Sequence, residues 1–168
     1  WTAPANLPVA AALGLTPQLD RDAWAELFAS RVNLLRREAR DFRLMSAHTL
    51  ADDPALLQLS VRRLLILLRK IALERGMDYV FETNDERLRQ GVQLSLEETL
   101  TFLFERGAFA GATPRDAFRV VTDDSLNTRQ RVEQGQFIAQ IQVAPSQPLE
   151  FITVLLLRLS EGLRAAEV

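Results

Sequence analysis

There is no cysteine in this chain and only one histidine, His48. The first absence removes a disulfide framework, thiolate metal sites and a thiol nucleophile together. The second leaves no histidine cluster for a metal and a single imidazole for acid–base work. Nor is there an apolar run approaching the ~20 residues of a membrane-spanning helix, so membrane insertion is not expected. Charge of neither sign dominates: 20 Lys+Arg against 22 Asp+Glu give a formal −2, which offers nucleic acid no bulk attraction. Neither an initiator methionine nor a signal-like run stands at Trp1, so the sequence reads as a piece of a longer polypeptide. What is present is 168 residues, 48% of them hydrophobic, enough to close one core without cross-links or metals.

Proline and glycine punctuate the first twenty residues, where Pro4, Pro8, Pro17 and Gly14 oppose a continuous helix. Residues 1–20 are therefore expected as an extended arm or linker lying against something, ahead of a single domain over 21–168. Asp20 or Asp22 is placed to cap a short helix with Trp24, Leu27 and Phe28 on one face. The stretch from Arg31 to Leu50 fits a helix and a strand equally well. From Ser60, apolar residues at Val61, Leu64, Leu65, Leu68, Ile71 and Ala72 predict a helix stopping at Gly76, its other face carrying Arg62, Arg63, Arg69 and Lys70. "MDYVFE" alternates like a strand. Asn84 is expected to cap a second helix burying Leu88, Val92, Leu96, Leu100 and Leu103 and ending at Gly107. Strands are expected around "AFRVVT" and "QFIAQIQV", the latter with Phe137, Ala139, Ile141 and Val143 on one face. This is an α+β pattern: a mixed β-sheet packed against two main helices, with an extended and helical N-terminal segment.

Candidates for chemistry are few. Ser46, His48 and Asp52 could be drawn as nucleophile, base and orienting carboxylate of a monomeric hydrolase-like domain; the plainer alternative is a partly buried histidine in a loop. Asp123 and Asp124 suggest a cation site or, more simply, a turn whose carboxylates bond their own backbone. The glycines of "GAFAGATP" lack a phosphate-loop lysine and carry no nucleotide signal. The basic face of the first long helix could serve an adaptor. No cofactor, metal or catalytic residue is assigned.

The most unusual stretch lies near the end. Residues 147–160 include Leu149, Glu150, Phe151, Ile152, Thr153, Val154, Leu155, Leu156 and Leu157, and as a strand both faces would be apolar. Left on a sheet edge such a strand invites aggregation. It is either central in its own sheet or an arm that completes a sheet in another subunit.

The ordered set "VFETNDERL", "RGAFAGATPRDAFRVVTDDSLNT" and "GQFIAQIQVAPSQPLEFI", preceded by "APAN", Val32-Asn33, "HTL" with "ADDP", and "VRRLL", resembles the C-terminal domain of contractile tail sheath proteins of phage tails and bacterial injection systems. The chain departs from that pattern at Thr83, His48, Gln142 and Leu149, and has no glycine in the hairpin the family places before the "HTL" element. The resemblance implies a strand-turn-strand there. It also implies a non-enzymatic structural subunit, assembled in the bacterial cytoplasm into a phage tail or phage-tail-like particle. Its partners would be neighbouring copies, in six-fold rings linked by exchanged terminal strands, the inner tube, and baseplate and terminal cap proteins. Contraction would drive the tube through a target envelope. The exposed side of the 85–106 helix, with Arg89, Gln93 and Glu97, is the candidate tube-facing surface.

Overall fold

The computed structural model describes residues 1–79 and 81–147 in full, and the backbone of Val154–Leu159 and Gly162–Glu167. Asp20 caps α1 (Arg21–Ala29) by accepting the Ala23 N–H at 2.8 Å. Trp24 and Phe28, one helical turn apart, stack with ring centroids 5.2 Å apart. The ambiguous stretch that follows is a hairpin, β1 (Leu35–Arg37) antiparallel to β2 (Phe42–Leu44), as the resemblance implies and without a glycine. Glu38 N–H donates to the Asp41 carbonyl across the turn, and the Arg43 guanidinium pairs with the Asp41 carboxylate at 2.9 Å.

The N-terminal arm lies against β2. Asn6 N–H donates to the Leu44 carbonyl, Leu44 N–H to Leu7, and Val9 N–H to Phe42, so the arm runs as a third, irregular strand. Trp1 is tied separately, its indole N–H donating to the Arg106 carbonyl at 3.0 Å.

Two long helices build the core. α2 (Leu59–Met77) buries Val61, Leu64 and Leu68, while α3 (Glu86–Glu105) buries Val92, Leu96, Leu100 and Leu103; the i, i+4 spacing puts each set on one face. Leu64 and Leu68 meet the α3 set together with Ala108, Phe109, Ala117 and Val120. Gly107 at φ +75° ends α3, a left-handed C-terminal position that glycine takes without steric cost. The N-cap of α3 is Asp85, accepting the Leu88 N–H at 2.8 Å, and not Asn84. Asn84 instead reaches across the fold to donate to the Gln136 carbonyl at 2.8 Å.

The alternating "MDYVFE" is not a strand among its described residues. Gly76 does not stop α2, which runs to Met77; Asp78 and Tyr79 then turn, and Glu82 N–H donates to the Tyr79 carbonyl. Phe81 is left fully exposed at φ +80°. Hydrogen bonding within this turn overrides a six-residue alternation.

Past α3, Thr113 opens α4 (Pro114–Ala117) with a capping box: its hydroxyl and N–H both donate to the Asp116 carboxylate. α4 leads into β3 (Phe118–Val121), and α5 (Arg129–Glu133) precedes β4 (Gln140–Val143). β3 and β4 pair antiparallel, with Phe118 opposite Val143 and Val120 opposite Ile141. Backbone pairing continues as β5 (Val154–Leu159) with β6 (Gly162–Glu167), also antiparallel. The architecture is α+β, but where one mixed sheet is expected the described strands form three separate two-stranded antiparallel ladders. Each ladder joins two consecutive strands in antiparallel order, which needs no crossover connection.

Candidate assembly surface

α3 carries the β3–β4 ladder. Val120 is buried against it, Phe118, Ile141 and Val143 are half-buried on the same face, and Arg119, Gln140 and Gln142 lie on the other. The hydrogen-bonding phase is fixed by Ala144 N–H donating to the Ala117 carbonyl at 2.8 Å. Antiparallel alternation then turns the N–H and C=O of Arg119, Val121, Gln140 and Gln142 inward, and those of Val120, Ile141 and Val143 out to the ladder's edges. Among the described residues these outward groups meet no other backbone. Among the described residues both edges are therefore open at these positions, and neither carries proline within the strand.

Each edge borders a groove. Beside β3, Gln93, Glu97 and Thr101 of α3 face Arg119, Val120 and Thr122 around a polar hollow of about 610 Å³. Beside β4 the hollow is about 740 Å³ and its floor is apolar, with Leu88, Val92 and Leu96 from α3, and Phe137, Ala139 and Ile141 from the β4 side.

Asn127, which the sequence reading passed over, holds the ladder's mouth. Only 1% exposed, it donates to the carbonyls of Thr122 at 2.9 Å and Ile138 at 2.8 Å, and accepts the Ile138 N–H at 2.8 Å. Its neighbour Asp123 forms the turn the sequence suggests, accepting the Ser125 N–H at 3.0 Å and its hydroxyl as well. Those two hydrogen bonds from Ser125, hydroxyl first, hold the Asp123 carboxyl below its ordinary range. Asp124 points elsewhere, pairing with Arg89.

Arg89, Gln93 and Glu97 are not on the open side of α3. Arg89 is half-buried, bonded to Asn84 and Asp124. Gln93 donates to Glu97 at 2.8 Å and accepts the Thr122 hydroxyl, so both line the β3 groove. Their one-turn spacing marks a common stripe, but only packing shows that β3 lies beside it. Among the exposed residues of α3 are Leu94, Glu98 and Phe102.

Ser46, His48 and Asp52 do not form a relay. The Ser46 hydroxyl donates to Asn33 Oδ1 at 3.1 Å, and the same oxygen accepts the His48 N–H at 2.7 Å, so Asn33 takes the position a reactive partner would need. His48 is buried edge-on to Phe28, while Asp52 is fully exposed and pairs with Arg31 at 3.8 Å. The Asn33 amide also donates to the His48 carbonyl at 2.8 Å, which explains the Val32-Asn33 element as a stitch between the segments that flank the β1–β2 hairpin. Among the described residues no cluster of potential metal ligands occurs, and no helix is long and apolar enough to cross a membrane.

Leu149–Thr153 lie outside the described residues. Val154, Leu155, Leu156 and Leu157 fall in β5, whose described ladder partner is β6 and not β3 or β4.

No family model matches the chain. It is 30% identical over 111 residues to the tail sheath protein of Vibrio phage KVP40, covering 66% of this chain and 16% of that protein. Among solved structures it is similar to a chain of the anti-feeding prophage baseplate, with TM-score 0.85 and 27% identity over 91% of this chain and 43% of that one. It is equally similar to a chain of an extracellular contractile injection system, the PVC sheath complex in its contracted state: TM-score 0.85, 25% identity, 96% of this chain and 46% of that one. The chain thus spans about a sixth of the curated relative's length and under half of each structural one.

Proposed function

We propose that this chain, whose sequence and fold are those of contractile tail sheath proteins, is the domain through which sheath subunits link by lending and receiving β-strands. The observation that carries this is the β3–β4 ladder, whose two edges meet no other strand among the described residues, in a chain that also holds the two-sided apolar segment 149–157. The β4 edge runs along an apolar groove, and an added strand would close it.

The donor is a second copy. Residues 144–146 continue the direction of β4, with Ser146 N–H donating to the Ala108 carbonyl. A return onto β4 through a two-residue type I′ turn at Gln147-Pro148 is disfavoured, because that turn takes positive φ at both positions, which proline cannot adopt and which is unfavourable for the residue before it. Burying about eight apolar side chains at ~1.5 to 3 kcal/mol each gives on the order of 10 to 20 kcal/mol, an upper bound before ordering entropy. Subunits joined in this way rotate as bodies without parting, which is what a sheath that shortens requires. Gln93 and Glu97, being in the β3 groove, are assigned to a strand arriving at that edge and not to the inner tube. Six-fold rings around a tube, contacts with baseplate and cap proteins, assembly in the bacterial cytoplasm and the absence of catalysis complete the reading.

The test is the mass in solution, by light scattering, of the chain beside a version ending at Ser146. An associating chain and a folded monomeric truncation support strand lending. A monomeric chain that unfolds on truncation makes the segment part of its own core and overturns it.

A further inference from the structure

α2 and α3 each turn one face to the core and leave an opposite face bare, and those two bare faces differ in charge. α2 carries five basic residues and one acidic; α3 carries four acidic and two basic. The outward stripe of α2 holds Ile66, Leu73 and Met77, 57%, 62% and 71% exposed, with the basic pairs Arg62-Arg63 and Arg69-Lys70 on either side of Ile66. That of α3 holds Leu94 and Phe102, 59% and 51% exposed, with the acidic Glu98 and then Glu105. Single exposed apolar residues need no explanation, but two helical stripes of them do.

The spacings match. Each basic pair is seven residues from the next, and Glu98 is seven from Glu105, so both sets of charge repeat every ~10 Å along their helices. Aligned antiparallel, one register sets Lys70 opposite Glu98 and Arg63 opposite Glu105. The same register sets Ile66 against Phe102 and brings Leu73 to Leu94. Antiparallel helices also oppose their dipoles favourably. The Lys70–Glu74 pair at 3.8 Å is exposed and costs little to exchange. Arg106, whose guanidinium sits 3.4 Å over the Phe102 ring, would flank the contact.

We propose that the outward face of α2 in one copy packs antiparallel on the outward face of α3 in a second copy, in that register. The contact uses different surfaces on its two members, so a joined pair keeps one free face of each kind, one on each copy. Such a contact propagates into a ring or a helical array and does not stop at a dimer. It does not depend on strand lending, since no residue of 147–168 takes part.

The absence of cysteine allows a clean test in the full chain. An Ile66→Cys chain is mixed with a Phe102→Cys chain under mild oxidation, and disulfide-linked pairs are counted. Facing positions should give heterologous pairs at least fivefold above either homologous pair, and above a Leu50→Cys control, an exposed site outside both helices. Adding Glu98→Lys and Glu105→Lys to the Phe102→Cys chain should abolish the excess, and Arg63→Glu with Lys70→Glu in its partner should restore it. Circular dichroism of each variant confirms folding. Cross-linking no greater than with the Leu50→Cys control, or an excess indifferent to the charge reversals, overturns the proposal.

Discussion

Replacing Asn127 by alanine removes one small side chain and strands three backbone groups. The amide donates to Thr122 and Ile138 carbonyls and accepts from Ile138 N–H, at 2.8 to 2.9 Å, in a site with 1% exposure. An unpaired buried polar group costs ~1 to 3 kcal/mol. The Ile138 groups are only partly buried and recover some bonding to water, so the total comes to about 3 to 4 kcal/mol. With a urea slope of ~2 kcal/mol per molar, the unfolding midpoint should fall by about 1.5 to 2 M, with the slope unchanged. The assay is urea unfolding followed by far-ultraviolet circular dichroism. Asn127→Asp is the sharper companion: it keeps an acceptor for Ile138 N–H but sets a carboxylate against two carbonyl oxygens. Its folded pKa should lie above the unfolded one, so its stability should be best at low pH and decline as pH rises through the folded value. A loss below about 1 kcal/mol for Asn127→Ala, or an aspartate variant indifferent to pH, would refute the view that this side chain holds the ladder's mouth.

Two further outcomes follow from the core and the turn. Leu100, 2% exposed and central to α3, should cost ~2 to 5 kcal/mol as Leu100→Ala in the same urea assay, because the core set from α2, α3 and β3 cannot all collapse into the gap. The Asp123 carboxyl, held below its ordinary range by Ser125, contributes stability that is present above the unfolded pKa of ~3.9 and lost as pH falls through the lower folded value. Hydrogen exchange at Ser125 N–H should therefore quicken at the acid end of the range in the native chain but not in Asp123→Ala.

Periodicity made the two long helices legible, because Leu64 and Leu68, and Val92, Leu96 and Leu100, repeat at helical spacing and are all buried. Gly107 marked the end of α3 for a reason that is local, a positive φ. Asn84 misled because it stands beside Asp85: both are good caps, and the choice rested on Gln136, which only the folded chain brings near. "MDYVFE" misled because alternation over six residues is weak against a turn closed by its own hydrogen bond. Ile141 and Val143 were readable on one apolar face, yet nothing in their alternation told that their backbone groups point to the ladder's edge; that phase comes from the Ala144–Ala117 bond. Asn33 stood out only through the Val32-Asn33 element of the resemblance, and neither its bonding nor that of Asn127 was legible, because their partners are 5 to 15 residues away.

The direction of the β3–β4 hydrogen bonds also bears on mechanics. They run across the strands, perpendicular to the chain. A strand added at the β4 edge and pulled along its own length would load every bond of the new ladder at once, in shear. The same strand lifted from one end would open them singly. A joint of this kind resists tension along the strand axis and yields to peeling, so the angle at which neighbouring bodies pull on it, more than the number of its bonds, sets whether it survives a large rearrangement.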